Sequence, residues 1–143
     1  MRVSLKHKTI VLIIAALVFL ADRTTKLYAQ SLPDGTAFVI TPHLTFGSFL
    51  NPALFFLPAW SAISWIALFV LTALIIFYTL TSATPLHLAL TPIILGGASN
   101  VFDRFAYGGV IDIVSIGNMM TINLSDLLII AGIVVLILRP ATR

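Results

Sequence analysis

The aspartates of this chain are its best candidates for chemistry. All five acidic residues among its 143 are aspartates, and four lie at or beside the ends of strongly apolar stretches: Asp22, Asp103, Asp112 and Asp126. Burying a charge near hydrocarbon costs free energy, so an ionisable residue at membrane depth usually marks a functional site. Two aspartates that share a proton can hydrolyse a peptide bond, because the ionised one activates water and the protonated one polarises the carbonyl. Asp112 and Asp126 form such a pair if the glycine-punctuated loop 107–117 folds back toward Asp126.

The composition indicates an integral membrane protein. Hydrophobic residues make up 59% of the chain and charged residues only 9%, with a mean hydropathy of +1.10, which a soluble surface cannot accommodate at this length. The net charge of +3 comes from a few residues near the termini, which argues against a nucleic-acid partner. The absence of cysteine excludes disulfides and thiolate chemistry, and the three histidines lack ligand spacing, so we expect no metal site.

The apolar stretches predict one domain, residues 1–143, with four transmembrane helices at about 9–30, 59–80, 85–105 and 124–138. The first stretch resembles a signal peptide, but no small-x-small cleavage site follows it, so we interpret it as a retained helix. Residues 37–57 are divided by prolines and a glycine into pieces too short to span. The expected fold is an all-α membrane bundle with a small extracytoplasmic, β-rich interfacial segment between helices 1 and 2.

Basic residues predict the orientation of the bundle. Arg2, Lys6 and Lys8 precede the first span, Arg139 and Arg143 follow the last, and residues 30–58 contain no lysine or arginine, so both termini should face the cytoplasm. The polar residues then gather at the outer face: Asp22, Lys26, Asn51, Asn100, Asp103, Arg104, Asp112, Asn123 and Asp126. The helical rise from residue 126 to residue 139 is about 20 Å, which places the Asp126 carboxylate roughly 10 Å inside a hydrocarbon core of about 30 Å.

Several of these residues also have an interpretation without chemistry. Asp22 and Lys26 have the four-residue spacing of an ion pair on a helix surface. Arg104 can extend its side chain to the outer interface. Asp112 can belong to a solvated loop. From position alone these alternatives remain open.

Two further motifs have equally simple interpretations. Gly96 and Gly97 suit close packing between membrane helices. Asn123 and Asp126 suit the start of a helix, where a capping side chain and a first-turn carboxylate are both favourable.

Four motifs together resemble the lipoprotein signal peptidase family, also called signal peptidase II. They are DRTTK at 22–26, GGASNVFDR at 96–104, GVID at 109–112 and NLSD at 123–126. The corresponding family patterns are D-x-x-x-K, G-G-x-x-G-N-x-x-D-R, V-x-D and N-x-A-D. The resemblance extends over the whole chain in motif order, number of spans and length.

The resemblance implies a role for each matching residue. Asp112 and Asp126 match the catalytic dyad, and the residues that match supporting or substrate-binding positions are Asp22, Lys26, Asn51, Asn100, Arg104 and Asn123. It further implies an aspartic endopeptidase that needs no metal or organic cofactor. The family's substrate is a diacylglyceryl-modified prolipoprotein, cut just before the lipidated cysteine.

Three departures from the family pattern predict a divergent member. The family's N-x-G-A-A-F element is matched poorly by NPALFF at residues 51–56, where added bulk could narrow the substrate cleft. Ser99 replaces a glycine and Ser125 replaces an alanine.

The implied location is the bacterial cytoplasmic membrane, with the site toward the outer leaflet. The expected partners are the lipidated substrate and membrane lipid, and we expect a monomer. Two other functions remain open: a catalytically altered homologue that binds lipidated peptides, and a small proton-coupled transporter, whose carboxylates should instead lie near the midplane.

Overall fold

The computed structural model describes residues 5–33, 36–52, 62–81, 86–117 and 119–138. In these ranges the helices are α1 (Leu5–Ser31), α2 (Ala62–Leu80), α3 (Leu86–Tyr107) and α4 (Leu124–Leu138). The strands are β1 (Ala37–Thr41), β2 (Leu44–Asn51), β3 (Val110–Ile116) and β4 (Met120–Ile122). Each helix lies on one of the apolar stretches of the sequence, although α1 begins earlier than expected and α3 continues to Tyr107. The bulky residues 53–56 and the terminal arginines lie outside the described residues.

The outer surface of the helices is apolar. Large hydrophobic side chains point away from the protein interior on three helices: Leu17 is 60% exposed, Phe69 74% and Leu138 75%. Among the described residues one helix, α2, is both long and apolar enough to cross a membrane, and α4 is a shorter apolar helix. A surface of this kind is typical of a protein that contacts lipid or another apolar partner.

The interior, in contrast, contains a concentration of polar side chains. The buried polar or charged residues are Asp22, Lys26, Ser99, Asn100, Asp103, Arg104, Asp112, Asn123 and Ser125. Three of the alternatives without chemistry are therefore wrong. Asp22 and Lys26 are not a surface pair, Arg104 does not extend to the interface, and Asp112 does not lie in a solvated loop. Buried polar groups must be satisfied by partners inside the protein, so this fold is built around a polar network.

Helix α3 contacts each of the other three helices, and glycines set its distance from α4. A Cβ atom at Gly96 would lie 2.5 Å from the Ser125 carbonyl oxygen, and one at Gly132 would lie 2.5 Å from the Ala89 carbonyl oxygen. Gly97 has no such constraint, because its nearest neighbour would be a Leu71 methyl at 3.5 Å. The close-packing interpretation of the glycine pair is thus confirmed for Gly96 alone.

The four strands form one antiparallel sheet in the order β1-β2-β3-β4. Residues 107–117, which the glycines led us to expect as a loop, mostly form β3. The β-rich segment between helices 1 and 2 is therefore only half of a sheet that β3 and β4 complete. In the β2–β3 register, Phe49 pairs with Asp112 and Asn51 pairs with Val110. The pairing brings Asn51 beside a strand that lies about sixty residues away in sequence.

Glycines also shape the passage from α3 into β3. Gly108 has a φ of +78°, and its N–H donates to the Arg104 carbonyl at 3.1 Å, which is a common way for a helix to end. A Cβ at the next residue, Gly109, would lie 2.9 Å from the Asn51 carbonyl oxygen. Only glycine allows β2 to approach this closely, so Gly109 helps to hold Asn51 next to Asp112.

Candidate active site

Asp112 lies on β3, is 1% exposed, and accepts hydrogen bonds from three side chains. Asn123 Nδ2 donates to Asp112 Oδ1 at 2.8 Å. Asn51 Nδ2 donates to Oδ2 at 3.0 Å, and the Thr121 hydroxyl donates to the same oxygen. With donors on both oxygens, the plane of the carboxylate is fixed and its negative charge is well solvated by the protein.

Asp126 lies in the first turn of α4. Asn100 Nδ2 donates to Asp126 Oδ1 at 2.9 Å, and the Asn123 backbone N–H donates to Oδ2 at 3.1 Å. In return, Asn123 Oδ1 accepts the Asp126 backbone N–H at 2.9 Å. This reciprocal arrangement is a capping box, so the helix-start interpretation of Asn123 and Asp126 is confirmed.

Asn123 does more than cap the helix, because it contacts both carboxylates. Its side-chain amide donates to Asp112 while its backbone N–H donates to Asp126. The strand β3 and the helix α4 therefore present their aspartates to the same residue. Asn123 therefore holds the two carboxylates in one site.

Lys26 occupies the centre of a second, adjoining cluster. Its side chain is completely buried, and its Nζ lies 2.9 Å from Asp22 Oδ2, 2.8 Å from Asp103 Oδ2 and 3.2 Å from Asn100 Oδ1. The ammonium has three N–H donors, and each of these contacts can use one. Lys26 thus connects the ion pairs of α1 and α3 to the asparagine that supports Asp126.

Asp22 fastens α1 to both neighbouring helices. Its Oδ2 accepts the Ser99 hydroxyl at 2.6 Å, and its Oδ1 accepts the Ser125 backbone N–H at 2.9 Å. The second contact satisfies one of the N–H groups that a helix start leaves without a partner. Ser99, a departure from the family pattern, is therefore part of the network that surrounds the site.

Arg23 and Asp103 extend the cluster toward the sheet. Arg23 Nη1 forms an ion pair with Asp103 Oδ1 and donates to the Ser99 hydroxyl at 3.1 Å, while its guanidinium lies 4.7 Å from the centre of the Phe102 ring. Asp103 Oδ2 also accepts the Ile111 backbone N–H at 3.3 Å. Since Ile111 precedes Asp112, this contact ties the ionic cluster to the strand that carries Asp112.

The structure brings together every residue that the sequence nominated. Arg104 is buried among them, and its Nη1 donates to the Asn100 backbone carbonyl at 3.3 Å. Arg23 and Thr121 are members of the site to which the sequence assigned no role, and Asp103 was a candidate aspartate without a specific role. Arg23 and Asp103 lie inside the recognised motifs, which was the available signal, but nothing in the sequence marks Thr121.

A cavity of about 340 Å³ lies between the end of α1 and the β1–β2 pair. Gln30, Ser48 and Phe49 are among the residues that line it, and Phe49 is the residue paired with Asp112 across the sheet. The cavity therefore borders the sheet at the strand next to Asp112. In the described ranges there is no group of three or more His, Cys, Asp or Glu side chains placed to hold a metal ion.

The architecture is that of known bacterial membrane enzymes. One solved structure, described as a bacterial membrane enzyme at 2.3 Å resolution, matches with a TM-score of 0.73 and 21% identity, covering 90% of this chain and 85% of that one. A second, at 1.9 Å resolution, matches with a TM-score of 0.72 and 22% identity over 90% of each chain. At these identities the likeness establishes the fold.

Sequence comparison supplies the family. The profile described as Signal peptidase (SPase) II matches residues 14–141. A lipoprotein signal peptidase of Syntrophomonas wolfei is 34% identical over 128 residues, covering 85% of this chain and 86% of that protein. A second, from Blochmanniella pennsylvanica, is 29% identical over 107 residues, covering 71% and 64%. The chain belongs to the lipoprotein signal peptidase family, whose members are membrane-integral bacterial proteases, and the resemblance drawn from its motifs is confirmed.

Proposed function

We propose that this protein is an intramembrane aspartic endopeptidase that removes the signal peptide from diacylglyceryl-modified prolipoproteins, cutting just before the lipidated cysteine. The observation that carries the proposal is the contact of Asn123 with both Asp112 and Asp126. A protease of this family needs a group that activates water. Asp112 and Asp126 share a neutral donor, Asn123, whereas Asp22 and Asp103 are both ion-paired with the Lys26 ammonium.

The hydrogen bonds suggest how the two aspartates divide the work. Among the described residues, Asn51, Thr121 and Asn123 donate side-chain hydrogen bonds to Asp112, and we assign the dyad's negative charge to this carboxylate. Asp112 then takes a proton from water as the oxygen attacks the scissile carbonyl, and protonated Asp126 donates to the carbonyl oxygen. When the tetrahedral intermediate collapses, the C–N bond breaks and the leaving amine takes a proton from the dyad.

The surrounding residues hold this pair in place. Asn51 and Asn123 fix Asp112, and Asn100 fixes Asp126. Arg104 supports the backbone of Asn100 and is the cationic residue that we assign to the substrate main chain. Asp22 and Lys26 act through Asn100. Lys26 donates to the Asn100 amide oxygen, and Asp22 holds Lys26 in place through their ion pair.

We further propose that the chain is a single domain and that all four helices cross the bacterial cytoplasmic membrane, with both termini in the cytoplasm. The apolar outer faces of α1, α2 and α4 support this arrangement, in which the site lies toward the outer leaflet. The sheet would cover the substrate from outside, and the acyl chains would lie between the bundle and the bilayer. The enzyme would act as a monomer.

The test is a gel-shift assay of purified protein with a diacylglyceryl-modified prolipoprotein, run beside Asp112→Asn and Asp126→Asn. Wild type should release the signal peptide and neither variant should do so. Asp34→Asn is the matched control, because Asp34 is the one aspartate outside the family motifs, and it should cleave like wild type. Cleavage by either dyad variant contradicts the assignment. Binding without cleavage by folded wild type favours the altered homologue, and proton-driven transport favours the transporter.

A further inference from the structure

Thr121 contacts the dyad, although it lies outside the family motifs. It belongs to β4, two residues before Asn123, and its hydroxyl donates to Asp112 Oδ2. Asn51 donates to the same oxygen from β2 at 3.0 Å. Because β3 lies between β2 and β4 in the sheet, the carboxylate of Asp112 is held from both neighbouring strands.

The bond from Thr121 is separate from the pairing of the strands. In the β3–β4 register, Thr121 pairs with Ser115, three residues beyond Asp112, so its hydroxyl reaches along the sheet to the carboxylate. A threonine hydroxyl has a single hydrogen to donate, and here that hydrogen is used on Asp112. The contact therefore serves the carboxylate and is not required for the ladder.

We propose that Thr121 is a positioning residue of the dyad, and that its hydroxyl keeps Asp112 Oδ2 in the orientation from which the carboxylate takes a proton from water. The assignment rests on the proposed function. Asn123 donates to Oδ1, and two donors, Asn51 and Thr121, converge at Oδ2, so the Thr121 bond is one of those that resist rotation of the carboxylate. Without the hydroxyl, Oδ2 still accepts a hydrogen bond from Asn51, but the carboxylate can rotate out of the orientation in which it takes a proton from water.

The experiment measures kcat and KM for cleavage of a diacylglyceryl-modified prolipoprotein by wild type, Thr121→Val and Thr121→Ser. Valine keeps the shape of threonine and removes the donor, so kcat should fall about 10- to 100-fold, the range expected for one hydrogen bond to a charged group. KM should stay close to wild type, because Thr121 acts through Asp112. Serine restores the hydroxyl and should restore kcat, which simple loss of packing does not predict.

Thr45→Val is the matched control. Thr45 lies on β2 opposite Ser115, the same β3 residue that Thr121 faces from the other side. Its replacement removes a threonine hydroxyl from the same sheet without touching the bonds to Asp112, and it should leave kcat unchanged. If Thr121→Val does not fold, Thr121→Ala takes its place with the same expectation.

A double-mutant cycle that combines Thr121→Val with Asn51→Ala tests independently whether both residues hold Asp112 Oδ2. Both residues hold Oδ2, so the loss of kcat in the double variant should differ from the product of the two single losses. Wild-type kcat in Thr121→Val, or a serine variant as slow as the valine variant, overturns the role of Thr121 and leaves the proposed function intact. A wild type that cleaves no prolipoprotein overturns both.

Discussion

Lys26 on α1 determines which way the Asn100 amide on α3 faces. The two side chains meet at 3.2 Å, where Lys26 Nζ donates to Asn100 Oδ1. A lysine ammonium can only donate, so the amide oxygen must turn toward Lys26 and the amide nitrogen is left to donate to Asp126 at 2.9 Å. The buried ion cluster therefore selects the orientation of a donor to the dyad.

Lys26→Met should be strongly destabilising. The substitution keeps most of the apolar stem and removes the cation that lies within 3 Å of both Asp22 and Asp103. Breaking a buried ion pair by removing one partner costs about 3–5 kcal/mol, which denaturant unfolding in detergent will measure. Lys8→Met, on the same helix but only partly buried, should change stability little. Equal stability of the two variants would show that the cluster contributes nothing.

Asn123→Ala should slow cleavage more than Asn100→Ala does. Alanine at position 123 removes a donor to Asp112 and opens the capping box around Asp126. Alanine at position 100 removes one donor to Asp126 and the acceptor of Lys26, but leaves the bonds to Asp112 in place. For Asn100→Ala we expect a loss in kcat of about 10- to 100-fold, one charged hydrogen bond, and for Asn123→Ala a larger one. Single-turnover kinetics on folded variants will rank them. A larger loss of kcat in Asn100→Ala than in Asn123→Ala contradicts the role of Asn123 as the residue that contacts both aspartates.

Ser99→Ala tests whether this departure from the family pattern has a structural use. The substitution keeps the helix and removes a hydroxyl that donates to Asp22 and accepts from Arg23. Leaving a buried group without its partner costs about 1–3 kcal/mol, and Asp22 still has Lys26. We expect lower stability with cleavage retained, measured by unfolding and by the gel-shift assay. Unchanged stability would make Ser99 a neutral replacement of glycine.

The sequence predicted the helices and most of the site because polar residues are conspicuous in so apolar a chain. Asp112, Asp126, Asn100 and Asn123 are visible for that reason and because ordered motifs contain them, whereas Asn51 lies in a poorly matched element. The strand β3 was missed, since its partner β2 lies far away in sequence and the glycines on both sides favoured a loop. Long-range pairing of this kind leaves no local signal.

The depth of the ionic cluster was also not predictable from the sequence. The spacing of Asp22 and Lys26 fits a surface pair equally well, and only the approach of α3 shows that both are buried. Thr121 is a harder case. A single threonine in a short strand has no distinguishing spacing, and its role depends on the turn that brings β4 back beside β3.

Gly96→Ala should lower both stability and cleavage, because the glycine sits where α3 crosses the start of α4. An added Cβ would lie 2.5 Å from the Ser125 carbonyl oxygen, so the helices must separate, at a cost of about 1–3 kcal/mol for overpacking. The separation moves Asp126, which follows Ser125, away from its donor Asn100 on α3. Thermal unfolding and kcat, measured together, should fall together.

Two other glycines separate the effect on packing from the effect on the dyad. Gly132→Ala makes an equally close contact, 2.5 Å from the Ala89 carbonyl oxygen, but about 9 Å further along α4 from Asp126, so it should destabilise with a smaller loss of kcat. Gly97→Ala meets only a methyl at 3.5 Å and should be tolerated, because alanine favours helix by about 1 kcal/mol over glycine. If all three variants lose kcat in proportion to their loss of stability, the Gly96 contact contributes only to helix packing. If Gly96→Ala loses more kcat than its loss of stability accounts for, the α3–α4 distance sets the geometry of the dyad.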